Sequence, residues 1–312
     1  MRSGFVCIIG RPNAGKSTLL NALVGEKLAI VTHKPQTTRT RIQGIINLPK
    51  KKSRPAAQVV LVDTPGVHRS ETSLDKKMMQ EIRDALHGCD LILLMVDATE
   101  KIREDKFVFD LIKHADTPVF LVVNKIDKVE KGALLPLIEQ YSKMFQFKEI
   151  IPISALKKDG LDELLLLTIK ALPEGPAYFP KDEFTDQPAR FLAAETIREQ
   201  VLLETEQEVP YAATVVIEQF EETPKLTRIA AVIYVERDGQ KAIVIGKGGQ
   251  MLKKIGSAAR VQIERMLGTK VFLELFVKVH ANWRESREFI EEIDWRRQME
   301  QLMSGASEPG ES

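Results

Sequence analysis

Residues Gly10-Arg11-Pro12-Asn13-Ala14-Gly15-Lys16-Ser17 fit the pattern G-x-x-x-x-G-K-[ST], whose chemistry is the cradling of a phosphate chain. The glycines let backbone N–H groups turn inward around phosphate oxygens, and a helix opening near Lys16 adds the positive end of its dipole. Lys16 is placed to reach the β- and γ-phosphates, and the Ser17 hydroxyl to ligate Mg²⁺. The expected contact set runs through Asn13, Ala14, Gly15, Lys16, Ser17 and Thr18. Asp63-Thr64-Pro65-Gly66 follows an apolar run at 59–62. An aspartate at the end of a strand there reaches the same metal shell, and the Gly66 N–H can sense the γ-phosphate. Between the two groups lies the polar stretch Lys34-Pro35-Gln36-Thr37-Thr38-Arg39. A threonine in it can complete the metal shell only while the γ-phosphate is present, which makes a switch. The spacing leaves Thr37 and Thr38 both open.

Asn124-Lys125-Ile126-Asp127 offers a base-reading group. A carboxylate at Asp127 accepts two hydrogen bonds from guanine N1–H and its 2-amino group. Adenine has neither donor and would leave the carboxylate unpaired, a strongly discriminating mismatch. Asn124 can brace the loop, and the Lys125 stem can cover the base. Ser154-Ala155-Leu156 ends a further apolar run, where backbone N–H groups could meet guanine O6. A different chemistry is suggested by Gly246-Lys247-Gly248-Gly249, followed by Lys253, Lys254, Arg260 and Arg265 in helical spacing. A G-x-x-G turn feeding a basic helix allows close approach of a sugar-phosphate backbone. The same four residues are also an ordinary tight turn, and Ile243, Ile245 and Ile255 read equally as a floor for unstacked bases or as core.

The elements that must carry these groups are legible from periodicity. Short Val/Ile/Leu runs at 5–9, 59–62, 91–96, 119–123 and 150–153 alternate with helical segments at 16–24, 75–87, 105–114, 134–145 and 161–171. That alternation predicts a doubly wound α/β sheet, with 41–46 pairing antiparallel to 59–62 as an edge hairpin. Four prolines and Gly175 between 173 and 188 mark a linker. Beyond it the order changes to helix 189–205, strands 211–220 and 226–237, helix 250–267, strand 270–279 and helix 284–303. The expected organisation is one domain at 1–172, a linker at 173–188, a second at 189–303, and a disordered tail at 304–312.

The 312 residues carry a net charge of only +1, which conceals an acidic stretch at 195–222 and a basic region after Lys241. Cys7 and Cys89 sit in apolar runs and read as reduced core thiols. No apolar run approaches the roughly 18 residues a membrane span needs. The chain is expected to be cytoplasmic, with at most a peripheral association on the cytoplasmic face of the inner membrane, and monomeric.

The order GRPNAGKS, TTR, DTPG, NKID, SAL resembles the translation-factor-type GTPases. PNxGKS with TTR is similar to the group holding Era and the tRNA-modification GTPases. The G-x-x-G segment, with two strands ahead of its helix, resembles a type II KH domain. The whole arrangement resembles the Era family of ribosome-assembly GTPases over residues 3–300. That resemblance implies a P-loop GTPase domain plus a smaller α+β KH-like domain, GTP/GDP and Mg²⁺ as ligands, and Ser17, Thr38 and Asp63 as metal-binding residues. It implies Lys16, Thr38, Gly66 and Asn13 as catalytic, with Asn13 helping to hold a K⁺ ion. It also implies RNA binding through Gly246, Lys247, Gly248, Gly249, Lys253, Lys254, Lys270 and Lys278 at the 3′ end of 16S rRNA, in 30S subunit assembly. Val67 stands where many GTPases carry a water-orienting glutamine, so slow intrinsic hydrolysis is expected, or a nucleotide-regulated RNA-binding module with little hydrolysis. A tRNA-modification role would need a further catalytic domain, for which the chain has no room. The basic stretch 49–55 reads as a solvated loop or an extra RNA contact.

Overall fold

The computed structural model describes residues 1–34, 37–52, 54–67, 71–100, 106–113 and 116–305. The chain divides into two compact units, Met1–Arg69 with Met78–Gln187, and Ser70–Lys77 with Pro188–Ser312. In chain order the first half contains β1 (Arg2–Gly10), α1 (Lys16–Val24), β2 (Ile42–Leu48), β3 (Ala57–Asp63), α2 (Ser73–His87) and β4 (Leu91–Asp97). It continues with α3 (Lys106–Ile112), β5 (Val119–Asn124), α4 (Lys131–Met144), β6 (Glu149–Pro152) and α5 (Leu161–Ala171).

The first unit is built on a six-stranded sheet in the order β2-β3-β1-β4-β5-β6. All pairs are parallel except β2 with β3, the expected edge hairpin. β1, β3, β4 and β5 are buried on both faces, which is why they read as unbroken apolar runs. Cys7, Ile9, Val62, Ile82, Leu94 and Val123 form the centre of one apolar layer. Cys7 and Cys89 are free thiols. β1 lies between β3 and β4, so the chain winds outward in both directions from it. Ligands of such sheets bind beyond the strand ends at this reversal, which is where residues 10–17 lie.

The proline-bearing segment after α5 is hydrogen-bonded along the first unit. The Ser3 hydroxyl donates to Pro176 O, and the buried Gln58 amide accepts from the N–H groups of Tyr178 and Phe179 while donating to Phe179 O. Ile45 N–H donates to Phe184 O, and the Thr185 hydroxyl to Gln43 O. The basic stretch 49–55 is the exposed turn of the β2–β3 hairpin, closed by reciprocal bonds between Lys51 and Arg54; Ser53 lies outside the described residues.

The second unit contains α6 (Ala189–Glu204), α7 (Val209–Ala212), β7 (Thr214–Glu222), β8 (Leu226–Val235), α8 (Asp238–Ile245), α9 (Gln250–Leu267), β9 (Lys270–Val279), α10 (Arg287–Glu292) and α11 (Trp295–Gly305). Its sheet runs β7-β8-β9, antiparallel then parallel. α6 and α9 share a core with it through Ile197, Val201, Ile233, Ile255 and Ile263. Three elements differ from the sequence reading. Residues 242–245 are the last turn of a helix, α8, which the Gln240 side chain nucleates by accepting from Glu236 N–H and Arg237 N–H. The strand expected at 211 starts at Thr214, after the short helix containing Pro210. The single helix expected over 284–303 is two, because Ser286 caps α10 and the Asp294 carboxylate accepts from Arg296 N–H at the start of α11. Residues 306–312, most of the expected tail, lie outside the described residues.

Candidate nucleotide site and nucleic-acid groove

The phosphate loop depends on glycine at Gly15, whose φ is +99° and where a Cβ would stand 2.2 Å from Asn124 Nδ2. Gly15 caps α1 without a side-chain bond, so the helix N-terminus opens toward the cleft. The Lys16 ammonium donates to Gly10 O at 3.1 Å and Arg11 O at 3.0 Å, bridging the loop. Burial pulls its pKa down to about 8, with Asp63 opposing that change.

Ser17, Thr38 and Asp63 converge. The Ser17 hydroxyl donates to Asp63 Oδ2 at 2.7 Å and lies 2.9 Å from Thr38 Oγ1, which donates to the same carboxylate oxygen at 3.3 Å. Asp63 is fully buried, and its other oxygen, Oδ1, has no hydrogen-bond partner. Burial pushes its pKa up to about 6, against the pull of Lys16, Ser17 and Thr38. An orphaned buried carboxylate oxygen beside two hydroxyls is a hard-oxygen donor set that fits Mg²⁺. Thr37 bonds elsewhere: its hydroxyl donates to Lys34 O at 2.6 Å and meets Thr32 at 2.9 Å. The geometry thus separates the two threonines that spacing left open.

Gly66 packs on the phosphate loop, where an added Cβ would fall 2.8 Å from the Pro12 backbone. Val67 N–H donates to Gly10 O at 3.0 Å, and its side chain is buried in the apolar layer, turned away from the cleft. Asn13 adopts φ +63° and donates from Nδ2 to His33 O at 2.9 Å, tying the phosphate loop to the polar loop.

At the other end of the cleft Asn124 bridges two loops. Its Nδ2 donates to Ala14 O at 2.8 Å, and its Oδ1 accepts from Ala155 N–H at 2.9 Å. Asp127 Oδ1 accepts from the Ser154 hydroxyl at 2.6 Å. The Ser154 N–H donates to Asp159 O at 3.0 Å. Lys125 turns through φ +66° and its ammonium meets Asp97 Oδ2 at 2.5 Å. Asp97 was absent from the sequence reading: one acid after an apolar run carries no signal until the strand register places it beside Asn124. Asn13, Lys16, Ser17, Thr18, Thr38, Gly66, Asn124, Lys125, Asp127 and Ser154 line one open cleft of about 360 Å³, within the range of small-ligand pockets.

In the second unit Gly246, Gly248 and Gly249 all have positive φ, at +71°, +59° and +77°. At Gly246 a Cβ would press on Met251, while Gly248 and Gly249 face open space, leaving their backbone approachable. Gly249, Lys253, Gly256 and Arg260 of the loop and α9 line a groove of about 470 Å³ with Val271, Phe272, Leu273 and Leu275 of β9. Lys253 stands exposed at the groove, and Lys247, two residues before Gly249, is exposed as well. The other nominated lysines are ion-paired: Lys254 with Glu204, Lys270 with Glu264 and Lys278 with Glu218. Lys278 alternates with the groove residues along β9 and so projects from the strand's other face. Arg260, two helical turns from Lys253, also lines the groove; the sequence reading placed it in the basic helix but not among the RNA-binding residues. Ile255 is fully buried core, so the apolar floor is Leu252, Val271, Leu273 and Leu275 instead.

A phosphate loop at the reversal of a mixed sheet, a D-x-x-G turn on it, and an N-K-x-D loop at the base end define a P-loop GTPase domain, here joined to a KH fold. A family model described as "50S ribosome-binding GTPase" matches residues 5–125, and one described as "KH domain" matches 208–284. GTPase Era of Geobacter metallireducens is 53% identical over 297 residues, spanning 94% of this chain and 98% of that protein. The GTPase Era of Staphylococcus haemolyticus is 46% identical over 296 residues, spanning 94% and 97%. The crystal structure of an Aquifex aeolicus Era variant bound to GDP.AlF4- has a TM-score of 0.89 at 42% identity, covering 94% of this chain and 99% of that one. That of Era with MgGDPNP and nucleotides 1506–1542 of 16S ribosomal RNA has a TM-score of 0.90 at 42% identity, covering 94% and 98%. The chain belongs to the Era family of GTPases. Among the described residues no helix is long and apolar enough to cross a membrane.

Proposed function

We propose that this protein is a GTP-hydrolysing switch that binds the 3′ end of 16S rRNA through its KH unit and assists assembly of the small ribosomal subunit. The observation that supports it most is the near full-length likeness to an Era holding both MgGDPNP and that RNA. Mg²⁺, when bound, supplies charge neutralisation on the β- and γ-phosphates. Ser17, Thr38 and Asp63 would hold it, and the orphaned Asp63 oxygen is the strongest local reason. Lys16 leaves its two carbonyls to bind phosphate oxygens, while Ala14, Gly15 and Thr18 line the phosphate end. The carboxylate of Asp127 accepts from guanine, Lys125 covers its face, and Asn124 holds the two loops in register. Loss of the γ-phosphate releases Thr38 and Gly66 together, which is the switching event. With Val67 buried, no side chain there can orient water, so the intrinsic rate is slow. Asn13, already bonded to a carbonyl of the polar loop, is placed to share a K⁺ ion with it.

On the RNA side the Gly246–Gly249 turn admits the backbone, Lys247, Lys253 and Arg260 neutralise phosphates, and the apolar floor takes unstacked bases. Lys254 joins by exchanging its ion pair with Glu204 for a phosphate, while Lys270 and Lys278, on the opposite face of β9, would meet only RNA that extends beyond the groove. The protein acts as a monomer in the cytoplasm, with at most peripheral contact with the membrane. The test is binding of a 3′-terminal 16S oligonucleotide with GDP and then with a non-hydrolysable GTP analogue. Tight binding with the analogue is expected. Absence of binding in both states, with nucleotide affinity intact, removes the RNA half of the proposal.

A further inference from the structure

β4 and β5 run parallel in a register that sets Asp97 beside Asn124, and Ala98 N–H donates to Asn124 O at 2.9 Å. The next residue, Lys125, is a non-glycine held at φ +66°, a left-handed conformation that persists only when its surroundings enforce it. This left-handed turn sends the lysine back over the end of β4, where its ammonium meets Asp97 Oδ2 at 2.5 Å. The second carboxylate oxygen is fixed from the other side. Asp97 Oδ1 accepts from Thr99 N–H at 2.9 Å and from the Thr99 hydroxyl at 2.7 Å. The Asp97 side chain is 7% exposed and that of Lys125 27%, so the pair is shielded from solvent more than a surface bridge.

We propose that Asp97 is a positioning residue for the guanine nucleotide: it pins Lys125 in the one conformation in which the lysine stem lies along the base face. Resting on the base-reading role of the N-K-x-D loop, it adds a residue outside that loop to the base site. The Thr99–Asp97–Lys125 relay is made of protein atoms only, and a stem it orders loses less conformational entropy when the nucleotide binds. Burial acts to raise the Asp97 pKa, but the bonds from Lys125 and Thr99 outweigh it and hold the carboxyl below its ordinary value, charged throughout the neutral range.

The test is a double-mutant cycle on GDP affinity in the full chain. Asp97→Asn keeps the shape and removes the charge; it is expected to weaken GDP binding about tenfold, the scale of one charged hydrogen bond. In a Lys125→Ala background the same substitution is expected to change affinity less than twofold, because there is no ammonium left to position. Thr99→Ala leaves Asp97 charged but unbraced and is expected to give a smaller loss in the same direction. It carries the test if Asp97→Asn fails to fold. Turnover at saturating GTP is expected to stay near wild type in Asp97→Asn and Thr99→Ala, with the loss confined to KM. An equal loss from Asp97→Asn with and without Lys125 would overturn the proposal, as would unchanged affinity in both backgrounds. If Lys125→Ala alone leaves GDP affinity unchanged, the lysine does not cover the base and the proposal falls; failure of the base-reading role itself shows separately, as an unchanged base preference in Asp127→Asn.

Discussion

Asn124→Ala tests the claim that one amide holds the phosphate end and the base end of the cleft together. The side chain is 3% exposed and makes two bonds, to Ala14 O at 2.8 Å and from Ala155 N–H at 2.9 Å. Each contributes about 1 kcal/mol net, and each truncation orphans a buried backbone group at a further ~1–3 kcal/mol unless water enters. With water in the vacated space the total is ~2 kcal/mol; dry, it is ~5 kcal/mol or more. The loss divides between folding and binding, because Ala14 sits at the phosphates and Ala155 at the base. Thermal and urea unfolding of the ligand-free protein measure the first part, and GDP titration the second. The expected result is a lowered midpoint and GDP binding weakened about thirtyfold, ~2 kcal/mol. A stability change under ~0.5 kcal/mol, the range of neutral surface substitutions, together with unaltered GDP affinity, would refute the reasoning and leave the two loops self-supporting.

Asp127→Asn exchanges an acceptor for a donor opposite the base and is expected to move preference from guanine toward xanthine nucleotides; competition binding with the two diphosphates reads it directly. Gly248→Asp fits the open space at a φ of +59°, which aspartate tolerates better than most residues, and its charge should repel RNA at least tenfold while GDP affinity stays intact. Magnesium-nucleotide affinity should be bell-shaped in pH, falling in acid as Asp63 gains a proton near 6 and in base as Lys16 loses one near 8. Ligand-free folding has its own signature. The folded Asp63 value lies above 3.8, so the folded chain keeps a proton that the unfolded chain loses, and stability falls as pH rises between about 4 and 6. Lys16 is depressed from 10.5, so the unfolded chain binds the extra proton between about 8 and 10.5 and stability rises with pH there. Unfolding midpoints of wild type and Asp63→Asn across pH 4–7 isolate the first effect; parallel curves would rule it out.

The nucleotide half was legible because its groups are contiguous in sequence and sit on loops whose flanking strands are unbroken apolar runs. Lys16, Asp63 and Asp127 needed only that order. Asp97 depends on a strand register that no local pattern encodes. Thr38 was separable from Thr37 only by the family likeness until the hydroxyl geometry placed it beside Ser17. In the KH unit α8 was hidden because its apolar residues fall in one short run, 242–245, with no visible helical period. The lysines of β9 were grouped by charge, yet period two puts 270 and 278 on the solvent-facing set, opposite the inward set 271, 273, 275 and 277, and of the solvent-facing set only Phe272 lines the groove. That alternation was available in the sequence and outranks charge count.

The segment after α5 bears on solubility. β2 is the outer strand of its sheet, and an outer strand with free N–H and C=O groups is a template for a second chain. Here the rim is guarded by Phe184 and Thr185, which bond to Ile45 and Gln43, and by Asn47, whose amide donates to Pro180 O and Glu183 O. Pro173, Pro176 and Pro180 lack the N–H that would let the guard itself recruit a further strand. A fragment ending at residue 172 would bare this seven-residue rim and is expected to self-associate with concentration on a sizing column, whereas one ending at 187 stays monodisperse.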